Sequence, residues 1–439
     1  MLGDYRDTWR ATGPAGRRFL TGGVLYAIRL LTFTVAFPLF AKAQGYDSGD
    51  IGWLVGGASL SLFVFGVPVT ILGARGHTRL LLMAGPLLGA VGQAVILTAP
   101  EGAFALTFLG SLLSGMVSTM FWILGDPLLA ATTPASRRAH VFALKFSMIT
   151  AGMALGGGLG GWIPAGLESF AGIGEKRALA ATMVVIAILD CAQVVAYALI
   201  PVAEMPRPLA RVRSLARGVS GGQLRSAWVL LFLLAIPEAG MALGHNSIRP
   251  FLPLYFEERH GLSTGVIGTV MASLALAGGI GALFLPGVAG RLGNLRTIGL
   301  FRGIAATTIV LCFTGVGIAA VVGLLFVYYA VADGTEATFI TESMERLPPE
   351  QRTAFSGLYA MVWSAFSFAA AVASGAIQDR PGAGFGAAFG LGVIGYFFSI
   401  GWIAGVFPRL PQLKAHRESS AVGAGTVEEG REELAAVRE

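Results

Sequence analysis

Two strongly apolar blocks of about two hundred residues, joined by one short hydrophilic strap, constrain this chain more than anything else in it. Each block breaks into about six apolar runs near twenty residues long, the length at which a helix crosses a bilayer. The strap, residues 201–225, reads PVAEMPRPLARVRSLARGVSGGQLR, with three prolines, five arginines, one glutamate and no run apolar enough to enter lipid. The pattern predicts an all-α membrane protein with twelve transmembrane helices in two pseudo-symmetric six-helix lobes. The lobes are residues 1–200 and 226–408, the strap is a cytoplasmic linker, and residues 409–439 form a polar cytoplasmic tail. Helices are expected at 18–41, 51–73, 79–98, 103–127, 140–164, 178–200, 226–255, 263–288, 297–317, 319–343, 354–378 and 386–408.

Composition narrows the class. Hydrophobic residues make up 54% of the chain and charged ones 13%, so a chain of 439 residues has too little interior to hide its apolar surface from water. Lipid is therefore the expected partner. Glycine, at 62 residues, suits helices that approach closely in a membrane. Cys191 and Cys312 lie in separate apolar runs and suggest neither a disulfide frame nor a metal cluster. No Walker-type loop, His/Cys metal spacing or nucleophile elbow occurs, which points away from an ATP-driven pump and from a membrane enzyme, and no cofactor is expected. A sensor would carry a folded cytoplasmic domain, and the tail is too short and polar to be one.

Charge placement predicts topology, not nucleic-acid binding. Most of the 31 Lys and Arg fall in the N-terminal segment, alternate loops, the strap and the tail, while the opposite loops hold Lys42, Lys176, Arg177, Arg259 and Arg380. This asymmetry places both termini in the cytoplasm. The short loops suit a bacterial inner membrane, a monomer is expected, and the charged N-terminus leading into a full-length apolar run predicts no cleaved leader.

The halves repeat. Pro134, Arg138 and Leu144 match Pro348, Arg352 and Leu358 at one offset; Phe37-Pro-Leu-Phe40 answers Leu252-Pro-Leu-Tyr255, and Ile51-Gly52 answers Ile267-Gly268. Such a twofold repeat is a transporter architecture, with the site between the lobes near the midplane.

Ionisable side chains at bilayer depth cost about 2.5–3.5 kcal/mol each on insertion scales, and so mark candidate sites. Arg29 shares a helix face with Tyr26, Phe33 and Phe37. Glu238, His245 and Arg249 stack on one stripe of the seventh helix, and Asp333 and Glu336 share a face of the tenth. Trp122, Tyr359, Trp363 and Phe366 are candidate aromatic lining. Asp190 and Arg302 are expected to serve packing. Asp126 and Glu342, near Arg138 and Arg352, are expected to form gate pairs.

Other stretches of the chain resemble motifs of the major facilitator superfamily, and the resemblance covers almost the whole chain. Glu345-Arg-Leu-Pro348-Pro-Glu-Gln-Arg352 is similar to the E-x-x-P-x-x-x-R signature of its sugar porters, although Ala131 stands at the acidic position of the first-half copy. Gly290-Arg291-Leu-Gly293-Asn-Leu-Arg296 resembles the family's latch loop without its aspartate. Gly152, Gly156, Gly157, Gly160 and Gly161 align with the glycines and proline of GxxxGPxxGG, a motif associated with exporters, Gly157 standing for the proline.

The resemblance implies that helices one, four, seven and ten line one cavity, so that Arg29 and the acids meet there. It implies too that the glycines of helix five form a flat face against helix eight, with Gly278, Gly279 and Gly281 in return. Arg291, Glu345 and Arg352 join the cytoplasmic gate. The resulting expectation is a secondary active transporter working by alternating access. It exports small, partly apolar molecules in exchange for protons, with Glu238, Asp333 or Glu336 as the proton carrier and Arg29 compensating an acid. The alternative is an importer of a polar solute such as a sugar or organic acid.

Overall fold

The computed structural model describes residues 2–134, 137–205, 221–345, 347 and 349–409. Among them, ten segments are long and apolar enough to cross a membrane. One of these, Ser48–Thr98, holds two helices, α3 (Ser48–Leu72) and α4 (Thr78–Thr98). They part at Gly76, whose φ of 94° suits glycine and strains any other residue. Helix α11 (Asn294–Leu311), which carries Arg296 and the buried Arg302, completes the twelve.

A short α1 (Leu2–Ala11) precedes the first lobe, which is completed by α2 (Pro14–Ala43), α5 (Phe104–Thr132), α6 (Arg138–Ala171) and α7 (Glu175–Ala198). The second lobe holds α8 (Gly221–Asn246), α9 (Leu252–His260), α10 (Thr264–Leu292), α11, α12 (Ile318–Glu345), α13 (Pro349–Gln378) and α14 (Gly384–Gly405). No strand occurs among the described residues.

The helix expected over 226–255 is not continuous. It stops at Asn246, turns through a 3-10 segment at Arg249–Phe251 and resumes as α9. Pro250 explains the break: it lacks an N–H, and its ring would collide with the carbonyl four residues back, on Asn246.

The lobes meet along two crossings, α6 on α10 and α3 on α13. Small residues make both possible. A Cβ on Gly161 would lie 2.6 Å from the Gly268 Cα, and one on Gly52 would lie 3.2 Å from the Gly375 Cα. Gly161 and Gly375 are equivalent positions of the sequence repeat, as are Gly52 and Gly268, so one contact is built twice.

Contact is confined to one end and the middle of the bundle. At the end away from the termini, Lys42 pairs with Glu257 at 2.9 Å and Glu258 at 3.1 Å across the lobes. There Asp379 also accepts from the backbone N–H of Ser48 at 3.1 Å and Gly49 at 2.6 Å. One apolar cluster, including Phe37, Phe40, Phe251 and Phe256, spans both lobes, whereas two others stay inside one lobe each.

Towards the termini the same stripes run bare. On α10, Gly268 and Ala272 touch α6, but Leu283 further along is 61% exposed, and Gly287 and Gly290 have nothing within 4 Å of a would-be Cβ. On α13, Gly375 and Ala371 touch α3, whereas Gly357 meets nothing. Phe63 on α3 and Phe146 on α6 are exposed in the same way. A gap between the lobes therefore opens at the end that carries the termini and is sealed at the other.

Candidate functional site

The charged residues expected to meet in one cavity divide into two kinds. Arg29 does not reach the gap. It is 2% exposed and lies inside the first lobe, where its Nε is 3.1 Å from Asp190 of α7 and its guanidinium bonds Ser114 of α5. Phe33 lies 5.1 Å under this guanidinium and stacks on Phe37; at 5% exposure it too is core and not cavity lining.

Glu238 leaves the stripe it was expected to share with His245 and Arg249. It pairs with Arg302 of α11 at 2.9 Å, both side chains fully buried, and Arg302 also bonds Ser399 of α14. Each lobe therefore holds one sealed arginine–carboxylate–serine knot. Asp190 and Arg302, read from sequence as packing residues, are the missing partners. The signal that would have found them is charge balance, since a lone arginine inside an apolar run needs an acid at its own depth.

The gap itself is lined by Arg249, Asp333, Glu336 and Trp122, with His245 and Tyr26 buried behind them. In the second lobe, Arg249, freed from helical geometry by the Pro250 break, pairs with Asp333 of α12 at 2.6 Å. The two side chains keep 20% and 26% exposure. Its guanidinium lies 4.2 Å over the Tyr329 ring, a cation–π arrangement, with Tyr328 beside it. His245 is buried edge-on to Trp363, Tyr328 and Tyr396, its Nε2 3.4 Å from Arg249. One turn towards the open end from Asp333, Glu336 accepts the Tyr359 hydroxyl at 3.0 Å. Asp333 packs against Gly278, where any Cβ would strike the carboxylate.

On the facing lobe, Trp122 is 47% exposed between α2 and α6. Its indole N–H donates to the Tyr26 hydroxyl at 3.0 Å, and that hydroxyl donates to Ser118. Lys145 of α6 lies 4.7 Å over the Trp122 ring and pairs with Asp126. The expected Asp126–Arg138 gate pair does not form, because Lys145 is seven residues further into the same helix and reaches Asp126 first. Arg138 instead donates to the Ala130 carbonyl at 3.1 Å. Sequence reading passed over Lys145, although a lysine inside an apolar run is the same warning that singled out Arg29.

Glu342 accepts from Asn294 at 2.7 Å, and Arg291 is exposed at the open end. The side chains of Glu345 and Arg352 fall outside the described residues, and the gate expected of them lies outside with them.

The glycines of α6 serve two partners, not one. Gly152, Gly156 and Gly160, four residues apart, face the backbone and small side chains of α2 within the lobe. Gly157 and Gly161, one helical step around, face Ala272 and Gly268 of α10. The reason is geometric: a one-residue step turns the helix by about 100°, so five glycines at these spacings make two adjacent faces. Of the three α10 glycines expected to answer, only Gly279 meets α6, at Thr150; Gly278 and Gly281 turn to α12.

Comparison with known proteins matches the architecture. A family model described as Major Facilitator Superfamily matches residues 19–372. Among solved structures, a point mutant of the nucleoside transporter NupG is similar with a TM-score of 0.68 at 12% identity, covering 92% of this chain and 99% of that one. A bacterial homolog of the human lysosomal transporter Spinster, in an inward-facing and unoccupied conformation, is similar with a TM-score of 0.64 at 13% identity, covering 92% and 96%. No match is found among curated proteins.

Proposed function

The chain belongs to the major facilitator superfamily, and from that premise we propose a proton-coupled secondary transporter that exports small, partly apolar molecules by alternating access. The observation that carries the reading is the partly exposed Arg249–Asp333 pair, set among Tyr329, Trp363 and Tyr359 in a gap reached from one end only. Aromatic faces supply apolar contact, while the ion pair and Glu336 supply groups that exchange partners as the lobes rock about the α6–α10 and α3–α13 crossings. The Lys/Arg distribution supports cytoplasmic termini, and with them there the open gap faces the compartment from which an exporter loads.

Uptake of a polar solute is the second reading. It is favoured by the charged pair at the centre of the gap and by the similarity to a nucleoside transporter.

Purified protein in liposomes with an internal pH-sensitive dye separates them. Under an imposed proton gradient, substrate-dependent proton flux opposite to substrate, lost in Asp333→Asn or Glu336→Gln, is expected for the exporter. Flux of both in one direction would make the protein an importer, and substrate movement with no proton flux in the unaltered protein, unchanged in both variants, would remove the coupling.

A further inference from the structure

Counting charge at bilayer depth leaves one acid over. Well inside the spans, the described residues hold four cations: Arg29, Lys145, Arg249 and Arg302. Each has its own carboxylate within ion-pair distance, namely Asp190, Asp126, Asp333 and Glu238 respectively. Glu336 is the fifth acid. It forms no ion pair among the described residues, and its one hydrogen bond there comes from the neutral Tyr359 hydroxyl. The charges around it are Glu238 and Asp333, which repel its anion, and Arg249, which Asp333 already engages. Glu238 gives no relief, because it is fully buried and one of its own oxygens lacks a hydrogen-bond partner.

A bare carboxylate at this depth is costly, so it needs either a proton or a positively charged visitor. Glu336 is only partly buried and lines the open gap beside the Tyr359 hydroxyl, with Trp363 one helical turn further along α13 and the half-exposed Trp122 on the other lobe. From this geometry we infer that the site takes monovalent organic cations with aromatic or apolar bodies, whose charge replaces the proton on Glu336. The inference rests on the transport reading above and adds the charge class of the substrate. Anions are disfavoured, since each described cation lining the gap at bilayer depth is already paired and an anionic ligand would leave Glu336 and its own charge unmatched. The balance is simple: one proton leaves Glu336 for each monocation that binds.

Two probes of nearly equal size and opposite charge, tetraphenylphosphonium and tetraphenylborate, test this by equilibrium binding to the full chain in detergent, with empty micelles as the blank. The phosphonium should bind saturably, more tightly as pH rises, and release protons into a weakly buffered solution, while the borate shows no saturable binding. Glu336→Gln should weaken phosphonium binding by about tenfold or more and abolish its pH dependence. Glu336→Asp, which keeps the charge, should retain both, and it serves if the glutamine variant does not fold. Saturable borate binding as tight as the phosphonium, or unaltered phosphonium affinity in folded Glu336→Gln, would overturn the inference. No membrane or gradient enters this assay. Phosphonium binding through Glu336 without proton-coupled flux in liposomes would therefore sink the transport reading alone, and coupled flux of neutral or anionic solutes without phosphonium binding would sink this one alone.

Discussion

Arginines inside apolar helices have two fates here, decided by exposure. Arg302 and Glu238 are sealed from solvent, so removing one partner strands a buried charge on the other. Glu238→Gln or Arg302→Met should each cost about 3–5 kcal/mol of stability, while the double substitution recovers most of it. Thermal unfolding of the purified protein reads the difference, and additive losses would contradict the sealed pair. Asp333→Asn should behave in the opposite way. Its pair with Arg249 is partly exposed, so little stability is lost but transport falls. Sequence alone identified most of these side chains as unusual, because charge in an apolar run is conspicuous. It did not pair them, because ion pairing depends on the relative depth and rotation of helices far apart in the chain. Arg29 and Asp190, 161 residues apart, illustrate this.

At the scale of the element, glycine spacing dictates which helix packs on which. Gly161 brings α6 against α10 at the lobe crossing, and Gly156 brings α6 against α2 inside the first lobe. Gly161→Val should therefore keep the fold yet spread the sealed end and slow transport. Gly156→Val, pressed on the Ile28 backbone, should lower the unfolding temperature. Gly166→Val, with nothing within 4 Å, serves as the control that changes neither. Transport rate and unfolding temperature on the same three proteins check the assignment; an equal response from all three would contradict it. The helices themselves were legible from apolar run length, and most of their observed ends fall close to the expected ones, although α6 runs on past the expected 164 to Ala171 and α11 stops at Leu311, short of the expected 317. The seventh span differs in kind, because Pro250 breaks the helix and turns Arg249 onto α12. The proline was visible in the sequence, but the new direction of the chain after it was not.

The whole molecule is closed at one end by ties between the lobes. Asp379 is the most condition-dependent of these. It lies just beyond α13, holds the first N–H groups of α3, and sits beside the carboxylates of Asp47 and Asp50. Desolvation first, and the neighbouring Asp47 charge after it, push its carboxyl above the ordinary aspartate range, against the opposing pull of the Gly49 N–H. A carboxyl raised in the closed state favours that state below its ordinary range, and the advantage is lost as pH rises through the raised value. Acidifying the sealed side should therefore increase the closed population, and Asp379→Asn should flatten that dependence. Spin labels at positions 169 and 314, in a background lacking Cys191 and Cys312, would report the separation of the lobe tips. A distance that widens on acidification would contradict the assignment.

Length, apolarity and the repeat of motifs at one spacing determined that this chain is a twelve-span, two-lobed membrane protein, because the thickness of a bilayer imposes a ruler that composition alone can satisfy or fail. Which charges face each other, which glycines face which helix and which end is open were decided only by tertiary structure. Those properties depend on helix rotation, depth and tilt, which pair residues from distant spans, and no local pattern fixes them.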